Sequence, residues 1–243
     1  MLSFIGVLVL GFFLGMRHAT DPDHVIAVTT IVTRQRGIAK AALIGALWGM
    51  GHTFTIFVVG AAIVLFKVAI PPRVGLSMEF AVGLMLILLG ALNLTGVLPR
   101  LQREFTPANV EAPLSSDAGR RYRFERVLRE MGLYNALRPL IVGIVHGLAG
   151  SAAVALVVVA AIPDPWWAIA YLLLFGLGTI AGMMAMTTLM ALPIGYTGRR
   201  FSRWNHAMAV ASGLLSLSFG TFLSYQTGIA GGLFSANPQW TPR

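Results

Sequence analysis

A chain of 243 residues with 56% hydrophobic and only 11% charged side chains does not have water as its main solvent, because a soluble domain carries about 25% charged residues. The absence of cysteine excludes disulfides and thiolate metal sites and leaves His, Asp, Glu and Met as metal-binding side chains. The net charge of +9 would suggest nucleic acid in a soluble protein, but here the basic residues sit between apolar blocks with no nucleic-acid-binding motif beside them.

In chain order, six apolar stretches are long enough to cross a bilayer, which takes about 20 helical residues. They lie at 5–33, 41–66, 75–97, 138–162, 167–195 and 205–228. Helix is the expected form of each, since a helix satisfies its own backbone in hydrocarbon. The first stretch has no basic leader and no small-residue cleavage site, so no removable signal peptide is expected. Residues 99–137 form the long polar linker. Within it, Thr106 to Gly119 reads as flexible chain, while Phe124, Val127, Leu128 and Met131 suit a short interfacial or solvated helix. Residues 231–243 read as a loose tail.

Basic residues orient the chain. Arg34, Arg36, Lys40, Arg100, Arg103, Arg120, Arg121, Arg123, Arg126, Arg129, Arg138, Arg199, Arg200 and Arg203 fall in loops one, three and five. The opposite side has only Lys67, Arg73 and Arg243. The positive-inside rule then places both termini outside and loops one, three and five in the cytoplasm, as in a multi-pass protein of a bacterial inner membrane.

The two halves resemble each other. Gly15-Met-Arg-His18 matches Gly143-Ile-Val-His146, Gly49-Met-Gly51 matches Gly176-Leu-Gly178, and Gly83 and Gly90 match Gly213 and Gly220, at shifts of 128, 127 and 130 residues. Three helices per repeat is an odd number, so repeat one (1–98) and repeat two (138–230) must insert with opposite orientation. The predicted fold is an all-α polytopic membrane protein, a single domain of six transmembrane helices in two inverted three-helix repeats. Secondary transporters built this way bind substrate near mid-membrane, where the halves meet.

The segment from Arg17 to His24 carries five ionisable side chains in eight residues: Arg17, His18, Asp21, Asp23 and His24. Each Asp or Arg at a helix centre costs roughly 2.5–3.5 kcal/mol in lipid, so these groups must face a polar cavity, one another or a cation. On a regular helix His18 and His24 point about 240° apart. Pro22 cannot donate a backbone hydrogen bond and clashes with the carbonyl of His18. A break there lets His18, Asp21, Asp23 and His24 point at one centre. Imidazole with carboxylate suits nickel, cobalt, zinc, copper and iron(II) rather than calcium or magnesium. Arg17 fits a counter-ion or an interfacial anchor as well as a functional role.

Two further histidines, His52 and His146, lie mid-helix beside glycines that let another helix approach. They are candidate ligands, although a lone membrane histidine can equally bond to a neighbouring helix. His206 reads as an interface residue. Met183, Met184, Met186 and Met190 read as packing material. Asn93, Ser151, Thr179, Thr187 and Thr188 line a path or bond between helices.

At this point the sequence resembles the nickel/cobalt transporter family, whose membrane signature is Arg-His-Ala-x-Asp-Ala-Asp-His. Arg17, His18, Ala19, Asp21, Asp23 and His24 match it, Thr20 fills the variable place, and Pro22 departs from the usual Ala. The next family signature is matched by Gly51, His52 and Thr53. The second half departs, reading His146-Gly-Leu-Ala-Gly-Ser151 and Gly176-Leu-Gly-Thr179 in place of acidic family segments. The chain looks most like the compact six-helix branch of urease accessory membrane proteins. The resemblance implies that these histidines and Asp23 select and bind the metal.

The expected function is uptake of nickel or cobalt through a site of His18, Asp21, Asp23, His24, His52 and His146, with Arg17, Thr20, Pro22, Thr53 and Ser151 in support. No permanently bound cofactor is expected, since the divalent ion is cargo, and the lipid bilayer is the main partner. A homo-oligomer or a metalloenzyme-maturation partner also fits. Efflux through the same site, metal delivery without transport, and an intramembrane metalloenzyme are the alternatives. An enzyme is the least favoured, since no His-Glu-x-x-His pattern occurs. Histidine must be neutral to ligate, so metal uptake measured against external pH should weaken below about pH 6.

Overall fold

The structure is a computed structural model that describes residues 4–32, 37–67, 70–97, 136–147, 158–159, 161–197 and 202–240. The linker 99–137 up to residue 135, with its interfacial-helix candidate, and Ser151 lie outside the described residues. The described elements are helical: α1 (Phe4–His18), α2 (Pro22–Val32), α3 (Ile38–Phe66), α4 (Pro72–Leu94), α5 (Ala136–His146), α6 (Pro165–Thr197) and α7 (Ser202–Tyr225). A widened helical turn, Gln226–Ala230, ends α7.

Four of these helices, α3, α4, α6 and α7, are long and apolar enough to cross a membrane. The first apolar stretch, 5–33, is broken near Pro22 as expected: it is two short helices, α1 and α2, separated by a turn at Ala19 to Asp21. The cause is local. Pro22 stands at the first position of α2, where its missing N–H costs nothing, and Thr20 Oγ1 donates to the carbonyl of Arg17 at 2.6 Å, closing the turn.

α3 packs along α6, α1 along α6, and α4 along α7. Close approach depends on absent side chains. A Cβ at Gly15 would overlap the carbonyl oxygen of Phe175 and crowd the amide nitrogen of Thr179. A Cβ at Gly143 would overlap the carbonyl oxygen of Trp48 and crowd the amide nitrogen of His52. The α4–α7 contact pairs Gly83 with Gly220 and Gly90 with Gly213.

Buried polar side chains tie the helices together. Asn93 Nδ2 donates to the carbonyl of Ala209 at 2.8 Å, Ser216 Oγ to that of Leu86 at 2.8 Å, and Thr55 Oγ1 to that of Ile144 at 3.0 Å. Such bonds average about 0.6 kcal/mol each in a membrane protein. Thr179 and Thr187 instead donate to carbonyls of their own helix, those of Phe175 and Met183. Met183 is core packing, and Met190 accepts a hydrogen bond from Thr29.

Residues 231–240, read from sequence as a loose tail, fold back onto α4. Trp240 Nε1 donates to Glu79 Oε1 at 2.9 Å, and its ring occupies the space that Gly75 leaves open. Arg73 Nη2 donates to the carbonyl of Ser235 at 3.3 Å.

Candidate metal centre

The break between α1 and α2 turns sequence neighbours into spatial partners. His18 ends α1 and His24 lies buried in the first turn of α2, and their ring centroids lie 4.6 Å apart. α3 brings His52 to both: its ring lies 5.0 Å from His18 and 4.8 Å from His24. α5 brings His146 to within 4.4 Å of His24. His24, His52 and His146 are fully buried, and His18 nearly so.

These side chains form two overlapping donor groups. His18, His24 and His52 offer three imidazole nitrogens, while Asp23, His24 and His146 offer two imidazoles and a carboxylate, each set within 4.8 Å. His24 belongs to both. Asp23 accepts from two rings, His146 Nε2 at 3.0 Å and His24 Nδ1 at 3.1 Å. His18 and His52 face each other Nε2 to Nε2 at 2.9 Å. Only one proton can lie between two such nitrogens, and a cation can replace it.

The donor set also has unused capacity. Ring nitrogens His24 Nε2, His52 Nδ1 and His146 Nδ1 are buried with no hydrogen-bond partner among the described residues. A buried unsatisfied polar atom costs about 1–3 kcal/mol, and three in one cluster call for an explanation. A divalent transition metal is a chemically apt one, because it takes several imidazole nitrogens and one carboxylate oxygen at once.

Asp21 sits differently from the expectation. It joins neither donor group. Its Oδ2 accepts from His18 Nδ1 at 2.8 Å, and its side chain remains 35% exposed. A carboxylate holding the far nitrogen of a histidine fixes the tautomer that presents Nε2 to a metal. If the centre holds a transition metal, replacing Asp21 with asparagine should therefore weaken its binding by about 10–100-fold, the usual cost of losing such an outer partner. A nickel titration of the purified variant checks this.

Over 232 residues the chain is 34% identical to the urease accessory protein UreH of Bacillus sp. (strain TB-90), with 95% of each chain covered. The chain belongs to the UreH family. A chloroplast protein of Arabidopsis thaliana, FOR GROWTH AND FERTILITY 2, is 24% identical over 212 residues, covering 86% of this chain and 54% of the plant one. No protein-family model and no solved structure matches.

In this UreH-family chain the remaining predicted residues lie around the centre rather than in it. Arg17 is exposed and forms no ion pair with Asp21 or Asp23, so the counter-ion role does not hold. Thr20 and Pro22 shape the break. Thr53 Oγ1 donates to the carbonyl of Gly176 at 3.2 Å and fastens α3 to α6. His206 is exposed near the start of α7 and belongs to neither donor group. Sequence reasoning missed Trp48, whose ring lies 5.6 Å from both His24 and His146, and Phe175, 5.6 Å from His18. The available signal was spacing: Trp48 is one helical turn from His52.

Proposed function

We propose that this protein moves nickel or cobalt ions across a membrane through the centre shared by His18, Asp23, His24, His52 and His146. The observation that carries this reading is the pair of donor groups joined at His24, placed at a helix break inside an apolar bundle. A purely structural polar knot would satisfy its own nitrogens, whereas this one leaves three of them without a partner among the described residues. The resemblance to nickel/cobalt transporters and the relative's role in service of urease both favour nickel as cargo. Inward movement is assisted by an inside-negative potential at about 2.3 kcal/mol per charge per 100 mV.

The two halves are read as inverted repeats of six spans in all. Support comes from contacts that mirror each other: Gly15 meets Phe175 and Thr179 as Gly143 meets Trp48 and His52, at shifts of 128 and 127 residues. The contact of Gly83 with Gly220 likewise mirrors that of Gly213 with Gly90. The centre lies between these halves, with His146 as the contribution of the second. Cytoplasmic placement of loops one, three and five follows from the basic residues.

The test is metal flux into liposomes. The intact protein should carry nickel or cobalt ions, and His18→Ala and Asp23→Ala should each reduce the rate by at least about tenfold. A second reading, metal delivery to an enzyme without transport, draws on the relative's name as a urease accessory protein. It predicts tight nickel binding by the intact protein with no flux at all. Efflux would show as depletion rather than accumulation of nickel in cells making the protein.

A further inference from the structure

The metal centre is walled by aromatic rings at two ends. Phe175 on α6 is buried beside His18, with Tyr171 stacked one turn behind it at 6.4 Å. Trp48 on α3 is fully buried against His24 and His146. The two helices run antiparallel, since Gly45 lies against Met183 and Thr187, Gly49 against Ile180, and Thr53 against Gly176. In that register Trp48 falls on one side of His52 and Phe175 on the other, about 10 Å apart along the shared axis at 1.5 Å per residue.

Two independent observations single out these walls. Each holds a buried polar group with no hydrogen-bond partner among the described residues, Trp48 Nε1 and Tyr171 Oη. Water reaching either wall would satisfy its orphan, so each closed wall forgoes a hydrogen bond that an open one would gain. The walls also correspond: the shift of 127 residues that carries His52 to Thr179 carries Trp48 to Phe175. Both rings, moreover, stand 5.6 Å from a matched histidine, His18 or His146.

We propose that Phe175 and Trp48 are paired plugs of one metal path. Phe175, backed by Tyr171, seals the centre toward the end where Pro165 begins α6. Trp48 seals it toward the opposite end, where Ile38 begins α3. An ion passes one plug, rests on the histidines and leaves past the other. This rests on the transport reading, and the plugs add to it a physical basis for opening to one face at a time.

The absence of cysteine makes the test direct. Thr179 is buried one turn along α6 from Phe175, at a level that the helix register puts between the two plugs, and is outside both donor groups, so Thr179→Cys supplies a lone thiol there. The membrane-impermeant cationic thiol reagent MTSET is applied to intact cells and to inverted membrane vesicles. Labelling should be slow from both faces. Adding Phe175→Ala should speed it at least about tenfold from one face only, and adding Trp48→Ala should do so from the opposite face only. Phe175→Leu and Trp48→Phe disturb packing less and should give smaller increases with the same face preference. Acceleration from both faces by either plug variant, from the same face by both, or from neither would overturn the proposal. Labelling requires no metal flux, so face-specific labelling in a protein that moves no nickel or cobalt would defeat the transport reading alone.

Discussion

His24→Ala should lower metal affinity more than any other single substitution, by more than about 100-fold, because a first ligand is lost rather than an outer partner. The reason is its place in both donor groups. His18→Ala or His52→Ala removes one member of the three-imidazole group and leaves Asp23, His24 and His146 intact. His146→Ala does the reverse. His24→Ala leaves two donors in each set, too few to hold a transition metal against water. Equilibrium dialysis with cobalt ions ranks the four variants. Equal losses for all four would mean a single indivisible site and would contradict the shared-ligand geometry.

Gly143→Leu should be the most damaging change to the fold that replaces no ligand. α5 lies so close to α3 that a Cβ at 143 would overlap the main-chain oxygen of Trp48 and crowd its ring. Overpacked side chains usually cost about 1–3 kcal/mol. Here the obstacle is largely backbone, which cannot rotate away, so the cost should reach the top of that range or pass it. The same shift would carry His146 away from Asp23, three residues further along the helix. Thermal unfolding in detergent should show a large drop in midpoint for Gly143→Leu and almost none for Leu177→Ala, whose side chain is exposed on α6.

Much of the site was legible in the sequence for definite physical reasons. Charged residues in hydrocarbon are too costly to be incidental, which singled out the segment from Arg17 to His24. Proline cannot continue a helix's hydrogen bonding, which located the break at Pro22 and allowed His18 and His24 to meet. The matched glycines pointed to close helix contacts, and Gly15, Gly143, Gly83 and Gly220 all make them.

Other features depended on information that local sequence does not hold. Asp21 and Asp23 differ by two positions and look equivalent, yet the break turns one toward the back of His18 and the other between His24 and His146. Arg17 is adjacent to His18, but the helix places it on the exposed side. Trp240 lies 161 residues from Glu79, and nothing near either announces the hydrogen bond that folds the tail onto α4. Trp48 and Phe175 resemble ordinary core residues until the surrounding histidine rings are in place.

Imidazoles and a carboxylate from separate helices are placed to meet around one ion. An X-ray absorption spectrum of the purified, nickel-loaded protein reads that directly. The expected spectrum shows nickel bound by several imidazoles, with their scattering signature absent when His24 is replaced by alanine. Nickel surrounded only by water or carboxylate oxygen, with the same spectrum in the His24→Ala protein, would contradict it.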